Sequence, residues 1–122
     1  MKVLVIDNDG FTRTVYESEF HQENIEVELA ADGEDGIVKV KKINPTLVLL
    51  DLILPKKNGF EVISAIRADK KLSKIPIIVA SGLNQETDIK EALRLGATKY
   101  FSKDSYSLKQ IIQEVLKVLM GL

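Results

Sequence analysis

The sequence predicts a doubly wound α/β domain, in which five parallel strands form one sheet with helices on both faces. Three observations lead there. Five short runs rich in Val, Ile and Leu recur along the 122 residues. Each is followed by a segment whose apolar residues repeat at helical spacing. The first, third and fourth runs are apolar without alternation, the pattern of central parallel strands covered from both sides. The chain therefore reads as a (βα)5 unit forming a single domain over residues 1–122, with no linker, repeat or low-complexity tract and no room left for an output module.

The first run is Val3–Ile6, and the helix after it carries Phe11 and Val15 four apart. The second, Ile25–Ala30, alternates Ile25, Val27 and Leu29 with Glu26 and Glu28, so it is predicted as an edge strand. Ile37 and Val40 mark the second helix. Leu47–Leu50 is the third strand, entered just after Pro45, and Val62, Ile63 and Ile66 mark the third helix. The fourth run, Ile75–Ala80, has Pro76 at its entrance, where a missing N–H is tolerated. Ile89, Ala92 and Leu93 define the fourth helix, which Gly96 stops. Lys99–Ser102 is the fifth strand. The last helix has the clearest stripe, Leu108, Ile111, Ile112, Val115, Leu116 and Leu119, as expected of a helix lying on a sheet.

Composition excludes several classes. Hydrophobic residues at 45% and charged residues at 29% are those of a globular chain. Seventeen Lys and Arg against 18 Asp and Glu give a net charge of -1, which supplies no general drive toward nucleic acid. With no cysteine there are no disulfides, thiolates or Cys-ligated metals, and a reducing cytoplasm suits the chain. The apolar start reaches Asp7 too early for a signal peptide. No apolar run approaches the roughly 20 residues that cross a bilayer. The expectation is a cytoplasmic protein with no membrane or direct nucleic-acid partner.

In a parallel doubly wound sheet the ligand crevice lies at the carboxyl ends of the strands. The residues just past those ends are Asp7, Asn8 and Asp9, then Asp51, Ser81 and Lys103. Clustered carboxylates repel one another unless a cation sits among them. An oxygen-only, water-accessible donor set suits Mg2+. A hydroxyl and an ammonium opposite the metal would hold the remaining oxygens of a phosphoryl group, which is most of what phosphoryl transfer requires. A carboxylate can itself be the nucleophile and give an acyl phosphate. At least three of the acids are predicted to gather beside Lys103.

At these residues the chain resembles a known family over essentially its full length. Val5-Ile6-Asp7-Asn8-Asp9, Val48 through Asp51 to Glu61, Ile75 through Ser81-Gly82, and Gly96-Ala97 through Tyr100-Phe101-Ser102-Lys103 are similar to the motifs of the receiver domains of two-component response regulators, those of chemotaxis regulators included. The resemblance implies a flavodoxin-like sheet of strand order 2-1-3-4-5. It implies a signalling switch, not an enzyme, in which Asp51 takes a phosphoryl group from a sensor histidine kinase or phosphotransfer protein. Asp7, Asp51 and the backbone carbonyl of Ile53 would hold Mg2+, Ser81 and Lys103 would contact the phosphoryl oxygens, and Tyr100 would swing inward as Ser81 moves. Output would pass through the fourth helix, fifth strand and last helix to a downstream protein or a fused output domain. Homodimerisation through the last helix is left open.

Two residues depart from the family pattern. Asn8 stands where a second metal-binding acid is usual, so weaker Mg2+ binding is expected unless Asp9 turns inward. Asp104 stands where a proline commonly follows the lysine in a cis peptide, leaving two possibilities: a trans peptide with a different approach for Lys103, or stored strain. Ile53 and Leu83, each two residues past a site residue, are apolar and would flank the phosphorylated oxygen, which implies slow self-dephosphorylation.

Plainer readings stand beside these. Asp7, Asn8 and Asp9 also suit a strand-to-helix turn with an N-cap. Ser81-Gly82 suits a turn, Lys103 a solvated strand end, and Tyr100 packing alone. His21 reads as a solvated helix end, Asn58-Gly59 as a turn, and Lys39, Lys41 and Lys42 as a solvated helix face. Two rival functions remain. One is a pseudo-receiver that binds partners without phosphorylation. The other is a phosphatase, because Asp7-Asn8-Asp9-Gly10 also resembles the first motif of the haloacid-dehalogenase type, with Asp7 as nucleophile.

Overall fold

The computed structural model describes residues 1–122. The elements alternate as β1 (Lys2–Ile6), α1 (Gly10–Gln22), β2 (Glu26–Ala30), α2 (Gly33–Ile43), β3 (Leu47–Leu50), α3 (Gly59–Ala68), β4 (Ile77–Ser81), α4 (Glu86–Leu95), β5 (Lys99–Ser102) and α5 (Leu108–Leu119). All strand pairs are parallel and the sheet order is β2-β1-β3-β4-β5, as expected. The register aligns Ile6 with Ala30 and Leu50, and Leu50 with Val79, so β1, β2 and β3 end level while β4 and β5, paired through Ser81 and Ser102, run two residues further along the same edge.

The sheet separates two apolar layers. Side chains two apart on a strand share a face. Val3 and Val5, Leu47 and Leu49, and Ile78 and Ala80 pack with Tyr16 and Phe20 of α1 and with Ile111, Ile112, Val115 and Leu116 of α5. Leu4, Ile6, Val48, Leu50, Ile77 and Val79 pack on the opposite side with Val40 of α2, Val62, Ile63 and Ile66 of α3, and Ala92 of α4. The same parity later decides which site residues meet.

Four helices begin with a side-chain cap: Asp9, Asp32, Asn58 and Ser107 each accept from a backbone N–H of the first turn. The fifth, α4, starts at Gln85 with no such bond and buries Ala92 alone, which makes it the least anchored. Gly96 closes α4 with φ of 123°, and the Arg67 side chain lies where a Cβ there would sit. Arg67 ties two connections together, donating from Nε to the Gly96 carbonyl at 2.9 Å and from Nη1 to the Ser73 and Ile75 carbonyls at 2.9 and 2.8 Å. Burial lowers the ionisation of this guanidinium. No helix is long and apolar enough to cross a membrane.

The structure corrects several details. Phe11 is 73% exposed and Val15 half-buried, while Thr12, Tyr16 and Phe20 form the buried stripe of α1. Asp9 sets this phase by capping Thr12. Leu93 is exposed as well. β4 begins at Ile77, after Pro76, and runs one residue further than expected, so Ser81 is its last residue rather than the first beyond it. β1 includes Lys2, and β2 starts at Glu26.

Candidate phosphoacceptor site

Asp7 and Asp51 follow β1 and β3, adjacent central strands, and by parity both continue the α1/α5 side of the sheet. Both are buried, Asp51 at 6% exposure. Lys103, two residues past the inward Phe101, arrives from β5 on the same side. Its ammonium lies 2.9 Å from Asp7 Oδ2 and 3.0 Å from Asp51 Oδ2. The other carboxylate oxygens accept backbone N–H groups, Asp7 Oδ1 from Asp9 at 2.9 Å and Asp51 Oδ1 from Ile53 at 3.1 Å. Each loop therefore folds back on its own aspartate and holds it at a fixed angle.

Burial raises the Asp7 carboxyl above its ordinary range, even against the Lys103 hydrogen bond. Burial also works against the charged form of Lys103, but the Asp7 hydrogen bond and the fields of Asp51 and Asp7 outweigh it, so its ionisation rises. Asp7 shifts upward because burial outweighs its donors, and Lys103 because its two carboxylates outweigh burial.

The expected convergence is met for Asp7, Asp51 and Lys103, but not for three acids. Asp9 Oδ2 accepts from Thr12 N at 3.0 Å and from the Thr12 hydroxyl, and these bonds hold its carboxyl below the usual range. Its side chain is thus spent on the helix cap, and no group of three acidic or His side chains is assembled. Asn8 is exposed beside it. Ile53 is exposed on the loop that starts at Asp51, and Leu83 is half-buried.

Ser81 and Tyr100 belong to the other parity. Ser81 is fully buried, and its hydroxyl accepts the Leu83 N–H at 3.3 Å. Tyr100 is half-buried against the α2–α4 layer, and its hydroxyl donates to the Leu83 carbonyl at 2.5 Å. Burial, aided by the fields of Asp88 and Asp51, pushes the phenol up. The β4–α4 loop is thereby tied to both Ser81 and Tyr100.

Every peptide bond is trans, Lys103–Asp104 included, and Lys103 still reaches both acids. Asp104 uses groups that a proline lacks: its N–H donates to Ser102 Oγ at 3.2 Å and its Oδ2 accepts from Asn84 Nδ2 at 2.6 Å. Sequence reasoning missed this link between the β4–α4 and β5–α5 loops. It also missed Arg13, which donates from Nη1 to the Asp7 carbonyl at 2.7 Å. An arginine one turn into a helix that starts beside acids was the available signal.

The sequence model of the response regulator receiver domain matches residues 3–116. The chain belongs to the response regulator receiver domains. A probable transcriptional regulator, ycf27 of Porphyridium aerugineum, is 36% identical over 118 residues, which are 97% of this chain and 48% of that protein. The alkaline phosphatase synthesis transcriptional regulatory protein PhoP of Bacillus subtilis (strain 168) is 30% identical over 118 residues, again 97% of this chain and 48% of the relative. The receiver domain spans about half the length of these relatives. Chemotaxis protein CheY4 of Vibrio cholerae superposes with a TM-score of 0.86 at 25% identity, over 96% of this chain and 97% of that one. A receiver domain is a phospho-accepting signalling switch of two-component systems, not an enzyme, and the phosphatase reading built on Asp7 falls with this assignment.

Proposed function

We propose that Asp51 is the phosphoacceptor of this receiver domain and that a histidine kinase or phosphotransfer protein supplies the phosphoryl group. The observation that carries the reading is the Lys103 ammonium bridging two buried carboxylates, Asp7 and Asp51, at the carboxyl edge of adjacent central strands. An Asp51 oxygen attacks phosphorus in line. The P–N bond of the donor phosphohistidine breaks, its electron pair stays on the imidazole, and an acyl phosphate forms on Asp51. Lys103 balances the incoming charge, and the Ser81 hydroxyl at the end of β4 would take a second phosphoryl oxygen.

The donor set also fits Mg2+. Two carboxylates against one ammonium leave excess negative charge, and Asp7, Asp51, the Ile53 carbonyl and the Asn8 amide offer hard oxygen donors only. When bound, the ion would neutralise the phosphoryl oxygens. None of the three surface cavities is lined by Asp7, Asp51, Ser81 or Lys103.

The signal would leave through α4, β5 and α5. The uncapped α4, with one buried residue, and the Leu83 contacts of Ser81 and Tyr100 support that route, since weakly anchored segments reorganise most easily. The partner on that face would be a downstream protein or a fused output domain. The test is exposure to acetyl phosphate or beryllofluoride with Mg2+, followed by mapping of the modified aspartate. Modification of Asp51 is expected, and a protein that stays unmodified would be a pseudo-receiver.

A further inference from the structure

Tyr16 has no part in the chemistry above, yet it lies on the side of the sheet that carries the acid pair. It is 1% exposed, and its ring stacks on Phe20 with centroids 6.2 Å apart. Its hydroxyl is the only buried side-chain nitrogen or oxygen without a hydrogen-bond partner. Phenylalanine would avoid that cost. Helical side chains lean toward the helix N-terminus, and α1 starts at the carboxyl edge of the sheet, so the phenol leans toward Asp7 and Asp51. Their fields reach it: burial first, and then both carboxylates, disfavour the phenolate and push the phenol up, far above a free tyrosine. It is therefore a neutral donor at physiological pH.

In the resting arrangement each oxygen of Asp7 and Asp51 has one donor, and a carboxylate oxygen can accept more than one. We propose that Tyr16 is a positioning residue of the phosphoacceptor pocket, its buried hydroxyl donating to the Asp7 carboxylate when Lys103 is drawn from Asp7 to the phosphoryl oxygens. The inference rests on the reading of Asp51 as phosphoacceptor. A neutral phenol restores the lost donor without adding charge, so Asp7 keeps its orientation while the ammonium serves the phosphoryl group.

The experiment compares Tyr16→Phe with the unsubstituted protein in two ways. With beryllofluoride and Mg2+, titrated by intrinsic or NMR signals, Tyr16→Phe is expected to bind about three- to tenfold more weakly, the value of one ordinary hydrogen bond. Without metal, Tyr16→Phe is expected to leave the melting temperature unchanged or raise it, but to lower it in a Lys103→Met background, where the phenol is already engaged. Equal affinities together with the same thermal effect in both backgrounds would overturn the role of Tyr16 alone. No beryllofluoride response in the unsubstituted protein would overturn the phosphoacceptor reading itself.

Discussion

Lys103 is joined to Asp7 across 96 residues of sequence, Nζ to Oδ2 at 2.9 Å, and the same ammonium holds Asp51 at 3.0 Å. It is thus the resting counter-ion of the pocket and a competitor of any metal that enters it. Lys103→Met leaves two buried carboxylates facing each other without a cation. The expected result is a lower melting temperature in chelator, recovered by millimolar Mg2+ to a larger extent than in the unsubstituted protein. Thermal melts with and without Mg2+ measure both.

The same ammonium sets the alkaline limit of stability. Its native ionisation is raised above 10.5, so the native state holds the proton more tightly than the unfolded chain does. The stabilisation is complete below 10.5 and is lost as pH rises through the native value. Asp7 works in the same sense, but at the acid end. Its carboxyl is raised above 3.8 by burial, so in that acid window its contribution to stability falls as pH rises. Urea midpoints measured from neutral pH to pH 11.5 should decline at the alkaline end, and Lys103→Met should flatten that decline.

Much of this site was legible because it follows from strand ends and parity. The apolar runs mark which strands are central, and the carboxyl-edge rule places Asp7, Asn8, Asp9, Asp51, Ser81 and Lys103 at one edge, of which Asp7, Asp51 and Lys103 are in direct contact. The phase of α1 was not legible. Phe11 and Val15 are four apart, but so are Thr12, Tyr16 and Phe20, and only the Asp9 cap decides between the stripes. A threonine and a phenol also disguise the buried one. The Asn84–Asp104 bond depends on how two loops approach each other, which no local pattern encodes.

Asn8 and Asp9 can be separated by substitution. The Asp9 carboxylate is committed to Thr12, whereas Asn8 is exposed with its amide free of protein partners. Asp9→Ala should lower the melting temperature through loss of the α1 cap and leave the Mg2+-dependent stabilisation unchanged. Asn8→Ala should reduce that stabilisation, and Asn8→Asp should increase it by adding a carboxylate. The reverse pattern would place the metal on Asp9.

Ile53 and Leu83 bear on the lifetime of the acyl phosphate. Neither side chain can orient a water for attack, and Ile53 stands exposed on the loop that starts at Asp51. Ile53→Asn introduces an amide able to hold such a water and is expected to shorten the phosphoryl half-life several-fold. Decay of radiolabelled phosphoprotein measures it, and an unchanged half-life would remove the flanking side chains as the cause.

Arg67 tests the fold rather than the site. One half-buried guanidinium satisfies the carbonyls of Ser73, Ile75 and Gly96, joining the exits of α3 and α4 to the entrance of β4. Hydrogen bonds from a charged donor contribute about 1.5–3 kcal/mol each, and the losses overlap because the partners share one side chain, so Arg67→Ala should cost about 2–4 kcal/mol in urea unfolding. Arg67→Lys keeps the charge but offers a single point donor where a planar fork spans three acceptors. It should therefore recover less than half of the loss. Recovery of most of the stability by lysine would mean that charge, not the geometry of the fork, holds these connections together.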